Sequence, residues 1–295
     1  MNHEAWTAAQ SETTVTVDGH DLSVAYYEGG PDDGSAGGGT ETATETLVFL
    51  HGIPTWSFLW RRIAPAFDDE YRVVVPDLVG YGNSDRRDCF DRSIRAQEVM
   101  LEALLDELGE TTVTLVGHDI GGGIALRLAA HSPGRVDRFV ASNAVCYDSW
   151  PVEFITNLGL PETVEMDDEN FEARLDFAFA EGAYGEADPE FVSGMKAPWL
   201  REDGKRALSR AAVATNTNHT TEIDYGAIDA DVLCLWGGED AGQPVAIGER
   251  LATDLGGEVV ELGDAYHWVI EDRPEAYRDA LREFLTEASA TGGDE

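Results

Sequence analysis

A carboxylate on a tight turn between a strand and a helix is the feature of this sequence that most directly suggests chemistry. The apolar run Val113–Val116 leads into Gly117-His118-Asp119-Ile120-Gly121, and a stretch rich in small residues follows. The two glycines flanking Asp119 at a distance of two positions remove side chains that would crowd such a turn. Because a carboxylate is ionised near pH 7, Asp119 can attack a saturated carbon and form an ester that water then hydrolyses. The alternative is an ordinary N-cap.

Two further groups with complementary chemistry follow later strands. Asp240 comes shortly after the apolar run Val232–Trp236, and His267 follows the run Glu258–Leu262. A histidine can activate water against an ester, and a carboxylate beside it fixes its tautomer and stabilises the imidazolium. Taken singly, Asp240 is equally well a turn residue and His267 a surface histidine. The order nucleophile, acid, histidine, with each group after a strand, favours the catalytic interpretation and predicts that they converge with Asp119.

Two backbone N–H groups are candidates for stabilising negative charge beside Asp119. The N–H of Ile120 opens the helix after the turn and points towards the site. The N–H of Ile53 lies in the segment His51-Gly52-Ile53-Pro54, which follows an early strand, where a second donor of this kind belongs. His51 is predicted to order that loop rather than to take part in chemistry, and His118 is likewise predicted to be structural.

Apolar runs and helical patterns alternate along most of the chain, with strands predicted at Thr46–Leu50 and Val136–Ser142 and helices at residues 57–67 and Ile120–His131. This alternation predicts a mostly parallel sheet with helices on both faces. The alternation stops in a segment rich in aromatic and acidic residues, which we interpret as a mainly helical cap over the active site. The predicted organisation is an α/β core at residues 13–145 and 229–288, a cap at residues 146–228, and flexible termini at residues 1–12 and 289–295.

Composition restricts the class of partner. The chain has 295 residues with 57 acidic and 20 basic side chains, a formal net charge of −37, and only two lysines, Lys196 and Lys205. A nucleic-acid or anionic membrane surface would repel this charge, so neither partner is expected. Acidic excess with so little lysine is typical of proteins from salt-rich cytoplasm, where short-range screening removes self-repulsion; an acidic mesophilic protein is the alternative.

Cysteine usage and the first residues predict a cytoplasmic location. The three cysteines fit neither a disulfide framework nor a zinc motif, so we expect reduced thiols and no metal or other cofactor. Residues 1–10 lack the apolar stretch of a signal peptide, and no apolar run is long enough to span a membrane.

Four segments carry a resemblance to a known family. These are His51–Arg61 (HGIPTWSFLWR), Pro76–Asp85 (PDLVGYGNSD), Gly117–Gly122 (GHDIGG) and Gly263–Pro274 (GDAYHWVIEDRP). Together they resemble the haloalkane dehalogenases, an aspartate-nucleophile branch of the α/β-hydrolase superfamily, over residues 46–145 and 230–285. The resemblance implies the α/β-hydrolase fold with an inserted helical cap, Asp119 as nucleophile, His267 as base and Asp240 as acid.

The sequence departs from the family at the groups that hold the departing halide. The family usually carries Trp directly after the nucleophile and often Asn at the position of Ile53, whereas this chain has Ile120 and Ile53. An indole N–H from the predicted cap could replace these donors, and Trp150 and Trp199 are the candidates for halide or substrate contacts. Core packing is the alternative role for each of the two.

The resemblance implies hydrolysis of a small apolar haloalkane to an alcohol and halide, with water as the second substrate. Epoxide hydrolysis is the nearest alternative and would need acidic phenols from the cap, for which Tyr147, Tyr184 and Tyr225 are available. An esterase-like hydrolase is a third possibility, and a non-catalytic binding module is the alternative from another class. The sequence leaves the substrate, the size of the pocket and the oligomeric state open.

Overall fold

The computed structural model describes residues 1–31 and 45–291, which form an eight-stranded sheet flanked by helices. The strands are β1 (Gln10–Val17), β2 (His20–Gly29), β3 (Thr46–Leu50), β4 (Arg72–Pro76), β5 (Val113–His118), β6 (Val136–Ser142), β7 (Asp231–Gly237) and β8 (Glu258–Leu262). Their order across the sheet is β1-β2-β4-β3-β5-β6-β7-β8. The strand β2 is antiparallel to both β1 and β4, and the pairs from β4 to β8 are parallel.

Most of the helices lie in the connections between the strands, as parallel pairing requires. They are α1 (His3–Ala8), α2 (Ile94–Glu107), α3 (Ile120–His131), α4 (Glu153–Leu158), α5 (Pro161–Glu165), α6 (Asp168–Glu181), α7 (Pro189–Lys196), α8 (Gly204–Val213), α9 (Asn218–Thr221), α10 (Val245–Leu255), α11 (Val269–Asp272) and α12 (Pro274–Thr291). Short 3-10 helices lie at Ser57–Arg62, Ala64–Ala66 and Tyr225–Ala227. None of the helices within the described residues is long and apolar enough to cross a membrane.

The predicted fold class, an α/β-hydrolase fold with a mostly parallel sheet, is confirmed. The central strands β3 and β5 are buried along their whole length, because helices cover both faces of the sheet. Close contact between β5 and α3 depends on glycine: a Cβ atom on Gly117 would lie 2.5 Å from the carbonyl oxygen of Gly121. This contact fixes the direction in which the chain leaves β5.

The segment between β6 and β7 is helical and carries α4 to α9. Two tryptophans join it to the loop after β3. The indole N–H of Trp56 donates to the carbonyl of Gly194 at 2.9 Å, and that of Trp199 donates to the carbonyl of Pro54 at 2.6 Å. The inserted helices therefore lie against the edge of the sheet where the parallel strands end.

The prediction of a flexible segment at residues 1–12 was wrong. This segment forms α1 and the beginning of β1. Trp6 is fully buried, stacks on Tyr27 with a ring separation of 4.6 Å, and donates its indole N–H to Ser57 Oγ at 2.9 Å. The opposite terminus was predicted to be flexible over residues 289–295. Helix α12 continues to residue 291, and residues 292–295 lie outside the described part of the chain.

Candidate active site

Asp119 lies at the sharp turn between β5 and α3. Its backbone has φ 53° and ψ −121°, a conformation that is costly for a residue with a side chain. The loop after β3 passes so close that a Cβ atom on Gly52 would lie 2.4 Å from the Asp119 side chain. The turn thus holds the carboxylate at the carboxyl edge of the sheet, with the loop after β3 pressed against it.

The Asp119 carboxylate lies beside two backbone N–H groups. The N–H of Ile53 donates to Oδ1 at 2.9 Å, and the N–H of Ile120 acts on the same carboxylate by lowering its pKa. Burial raises the pKa of Asp119 from 3.8 to about 6, and the neighbouring His267 and both N–H groups act in the opposite direction. The two backbone donors expected from the sequence therefore converge on the same carboxylate.

The other oxygen of Asp119 faces His267. The distance from His267 Nε2 to Asp119 Oδ2 is 3.8 Å, longer than a hydrogen bond, while His267 Nδ1 lies 2.8 Å from Asp240 Oδ2. Hydrogen bonding of Nδ1 to a carboxylate leaves Nε2 as the proton-accepting nitrogen of the neutral ring. Burial alone would lower the pKa of His267, but the Asp240 carboxylate outweighs it, and the pKa is raised.

Asp240 is buried and is held by several donors. Its Oδ1 accepts the N–H groups of Gly242 at 2.7 Å and Gln243 at 3.1 Å, and its Oδ2 accepts Nδ2 of Asn143 at 2.6 Å. Burial acts to raise its pKa, yet the His267 charge and these hydrogen bonds lower it to about 2. Asp240 is therefore ionised at neutral pH and can orient the imidazole.

Asn143 belongs to this network although sequence reasoning did not select it. It follows β6 directly, adopts φ 40°, and accepts the N–H of Gly237 through its Oδ1 at 3.0 Å while it donates to Asp240. It thereby ties the ends of β6 and β7 together beneath the acid. The available signal was its position, since it is the first residue beyond a parallel strand at the edge where the other site residues lie.

His51 and His118 support the site from below. The ring of His51 accepts the N–H of Leu78 at Nε2, 3.0 Å away, and its Nδ1 lies 2.9 Å from the carbonyl of Gly52. Burial lowers the pKa of His51 to about 3 and that of His118 well below its ordinary value. The ring of His118 lies 4.8 Å from that of His267. Both histidines are neutral packing groups, and His51 orders the loop that carries Ile53.

A cavity of about 490 Å³ opens beside Asp119 and His267. Its apolar lining consists mainly of Ile53, Trp150, Val152, Phe154, Ile155, Phe177 and Trp268. Phe177 is 59% exposed, so it marks the outer end of the cavity. A larger groove of about 1290 Å³ elsewhere is lined by charged side chains such as Arg86 and Lys205 and includes none of the three converging groups.

The two candidate tryptophans differ in position. Trp150 lines the cavity, is buried, and its Nε1 has no hydrogen-bond partner within the described residues. Trp199 is not among the residues that line this cavity, and its indole N–H is already engaged with Pro54. A buried N–H without an acceptor is costly, so Trp150 is the one of the pair that is available to a bound molecule.

The tyrosines considered for epoxide chemistry lie away from the cavity. Tyr147 donates its hydroxyl to Asp254 at 2.7 Å, Tyr225 donates to the carbonyl of Thr220 at 3.1 Å, and Tyr184 is 42% exposed. Tyr266 is the tyrosine among the described lining residues. Within residues 1–31 and 45–291, no cluster of three or more His, Cys, Asp or Glu side chains is arranged to hold a metal ion.

Known proteins resemble this chain over most of its length. A family profile described as the alpha/beta hydrolase fold matches residues 45–183. A cis-3-alkyl-4-alkyloxetan-2-one decarboxylase of Xanthomonas campestris is 26% identical over 90% of this chain and 92% of its own length. Haloalkane dehalogenase 2 of Mycobacterium bovis is 26% identical over 80% of this chain and 86% of its own length.

The solved structures agree with this fold. An alpha/beta hydrolase fold protein from Burkholderia ambifaria superimposes with a TM-score of 0.79 and 27% identity, covering 91% of this chain and 96% of that protein. The sheet order of this chain and its strand-to-helix turn at Asp119 thus accompany structural similarity to a protein of the alpha/beta hydrolase fold. By its sheet, its turn and these relatives, the chain has the α/β-hydrolase fold.

Proposed function

We propose that this protein is a hydrolase in which Asp119 attacks a carbon atom of a small apolar substrate and forms a covalent ester. One observation carries the proposal: Oδ1 of Asp119 is held by the N–H of Ile53, whereas Oδ2 is directed towards His267. A carboxylate used only as a general base would not need an N–H pocket for one of its oxygens. A carboxylate that becomes an ester does, because that oxygen carries the negative charge during ester hydrolysis.

In the first half-reaction, Oδ2 of Asp119 bonds to the substrate carbon and the bond to the leaving group breaks. The leaving group departs with the electron pair as an anion. The indole N–H of Trp150, which has no partner among the described residues, would donate to that anion in the apolar cavity. No base is needed at this stage, since the attacking oxygen is already ionised.

In the second half-reaction, His267 removes a proton from water through Nε2, and the resulting hydroxide attacks Cγ of Asp119. Negative charge develops on Oδ1, where the N–H of Ile53 stabilises it, and the N–H of Ile120 beside the same carboxylate adds to this effect. The intermediate then collapses, the ester oxygen leaves as an alkoxide that takes the proton from His267, and the alcohol departs. Asp119, regenerated as the acid, releases its proton to solvent and is ionised again. Asp240 stabilises the transient imidazolium through its contact with Nδ1.

For the substrate class, we propose haloalkanes, giving an alcohol and halide. The apolar cavity of about 490 Å³ suits a short uncharged molecule, and Trp150 offers one donor for a halide. The similarity to a haloalkane dehalogenase over 80% of this chain supports the same assignment. The epoxide alternative loses support because Tyr147, Tyr184 and Tyr225 do not line the cavity.

A second candidate is decarboxylation of a cis-3,4-dialkyl oxetan-2-one, the substrate in the name of the Xanthomonas relative. The specific observation in its favour is that Ile53 and Ile120 offer no side-chain donor to a halide. Attack of Asp119 on the saturated ring carbon that is bonded to the ring oxygen would break that bond, open the lactone and free its carboxylate. Loss of carbon dioxide would then form the alkene and expel Asp119, so this reaction consumes no water.

The experiment is a comparison of products from three probes: a 1-bromoalkane, a terminal alkyl epoxide and a cis-3,4-dialkyl oxetan-2-one. Haloalkane hydrolysis releases bromide and alcohol in equal amounts, epoxide hydrolysis gives a diol, and lactone decarboxylation gives an alkene and carbon dioxide. Asp119→Ala provides the blank for each assay. Bromide release that Asp119→Ala abolishes is the expected result, and turnover of the lactone alone would replace the haloalkane assignment with the second candidate.

A further inference from the structure

The loop that carries His267 is bonded directly to the inserted helical segment. Trp268 follows His267, is buried, and its backbone N–H donates to the carbonyl of Gly182 at 2.8 Å. Its indole N–H donates to the carbonyl of Phe179 at 3.1 Å. Phe179 lies in the last turn of α6, and Gly182, which follows the helix directly, also lines the cavity. The residue after the candidate base thus contacts the wall of the cavity through two hydrogen bonds.

Asp272 joins the same two segments from the other side. Its Oδ1 accepts the backbone N–H of Tyr184 at 3.0 Å, and its Oδ2 accepts the backbone N–H of Tyr266 at 2.9 Å. The adjacent Arg273 is engaged elsewhere, with Asp264 at 2.6 Å and the carbonyl of Gly263 at 2.7 Å. One carboxylate therefore connects the residue just before His267 to the inserted segment.

The packing leaves little freedom for this connection to shift. A Cβ atom on Gly182 would lie 2.4 Å from Nε1 of Trp268, so the indole ring packs directly on the Gly182 backbone, which only glycine allows. The ring of Trp268 lies 4.7 Å from that of His267. Beyond Trp268, Glu271 pairs with buried Arg61 at 3.0 Å, which anchors α11 to the core. Movement of the end of α6 would therefore be transmitted to His267 rather than absorbed by α11.

We propose that Asp272 is a positioning residue that, together with Trp268, makes residues 179–184 and 266–272 one hydrogen-bonded unit. In this unit His267 reaches the orientation for water activation only when the wall of the cavity is in place. The proposal rests on the proposed function, because its effect is read in the half-reaction that needs His267. It assigns to Asp272 an influence on ester hydrolysis and none on carbon attack by Asp119.

The test separates the two half-reactions in Asp272→Asn. Its amide can accept one N–H but presents an N–H₂ group to the other, so one of the two hydrogen bonds is lost. After rapid mixing with a 1-bromoalkane, intact-mass spectrometry follows formation and decay of the adduct on Asp119. We expect adduct formation within about twofold of the unmodified protein and adduct decay slowed about tenfold, the effect of losing about 1.4 kcal/mol. Asp279→Asn, an exposed carboxylate on α12, is the matched control and should change neither rate.

Trp268→Phe keeps an aromatic ring in place and removes the hydrogen bond from the indole N–H to Phe179, so it serves if Asp272→Asn does not fold. It should also slow adduct decay more than adduct formation. Equal slowing of both steps, or no change in either variant, would overturn the positioning role. His267→Phe, run in parallel, distinguishes the two proposals. If that variant forms no adduct, covalent catalysis on this substrate fails, whereas a stable adduct there with unchanged decay in Asp272→Asn removes the present inference alone.

Discussion

The N–H of Ile53 donates to Oδ1 of Asp119 at 2.9 Å, although the two residues are 66 positions apart in the chain. This bond assigns different environments to the two carboxylate oxygens, because Oδ2 lies towards His267 instead. In an ester formed through Oδ2, Oδ1 would be the carbonyl oxygen. It would already lie in the N–H pocket when water attacks.

Replacement of His267 should separate the two half-reactions. His267→Phe removes the group that activates water and leaves the carboxylate of Asp119 able to attack. With a 1-bromoalkane we therefore expect an alkyl adduct that accumulates to one equivalent. It should appear as an increase in the intact mass of the protein and, after digestion, in the mass of the peptide that contains Asp119. Asp119→Ala in the same background is the control and should remain unmodified. An unmodified mass in folded His267→Phe would contradict covalent catalysis on this substrate.

The pKa values of Asp119 and Asp240 predict opposite effects of pH on stability. The pKa of Asp119 is raised from 3.8 to about 6. Burial of its carboxyl group therefore does not lower the free energy of unfolding below pH 3.8, where the group is protonated, and lowers it by about 3 kcal/mol above about pH 6, where it is ionised. Asp119→Asn should accordingly increase the free energy of unfolding at pH 8, with the gain shrinking as pH falls from 6 to 4. The pKa of Asp240 is lowered to about 2, so its ionised form stabilises the fold fully above pH 3.8. Asp240→Asn should therefore lower the free energy of unfolding at pH 7.

Urea denaturation of both variants across this pH range measures the two effects. The unmodified protein, measured at every pH, provides the reference from which each difference is taken. A gain for Asp119→Asn that is the same at pH 4 and pH 8 would contradict the argument, since the cost of burial would then not depend on ionisation.

Trp150 is expected to act on the leaving group. Trp150→Phe keeps an aromatic wall and removes the indole N–H, which has no partner among the described residues. Removing one donor aimed at developing charge should slow adduct formation about tenfold or more. Because a smaller halide accepts a stronger hydrogen bond, the loss should be greater for a chloroalkane than for the matching iodoalkane. Single-turnover rates with both substrates test this, and equal losses would indicate a packing role alone.

The net charge of −37 predicts a fold that depends on salt. Raising KCl from about 0.01 M to about 1 M shortens the screening length from about 30 Å to about 3 Å and so weakens self-repulsion. The melting temperature should rise steadily over this range. Sucrose strengthens the burial of apolar groups without screening charge, so it is the control for stabilisation that does not involve electrostatics. A melting temperature that does not change with KCl would refute the interpretation of the charge as an adaptation to salt.

The central sheet could be predicted from the sequence because its strands are buried apolar runs with clear boundaries. The predicted and observed ranges coincide for Thr46–Leu50 and Val136–Ser142. The same holds for the helix Ile120–His131, whose small residues pack against β5. At Asp119, local sequence and tertiary structure agree, since the glycines that mark the turn are the ones that permit the close contact.

Features that depend on distant contacts could not be predicted in this way. A helix of six residues such as α1 is unstable alone, and here it is stabilised by burial of Trp6 against Tyr27. The helix expected at residues 57–67 is divided into two short 3-10 helices, with Pro65, which lacks an N–H, in the second. The role of Asn143 likewise could not be predicted, because it depends on the contact between the ends of β6 and β7.

The origin of the oxygen in the product tests the role of Asp119 directly. If Asp119 attacks carbon, the hydroxyl oxygen of the alcohol comes from its carboxylate, and water leaves its own oxygen in Asp119. A single turnover in ¹⁸O-labelled water should therefore give mostly unlabelled alcohol, with the label in the peptide that contains Asp119. Later turnovers should pass that label to the product.

Direct attack of water on the substrate, with Asp119 as a general base, predicts labelled alcohol in the first turnover instead. Incubation of the protein in labelled water without substrate is the control, and it should leave the peptide unlabelled. Asp119→Ala abolishes turnover under either mechanism and so does not separate them. The isotope experiment does, because the hydroxyl oxygen of the first alcohol comes from Oδ2 of Asp119 in one mechanism and from labelled water in the other.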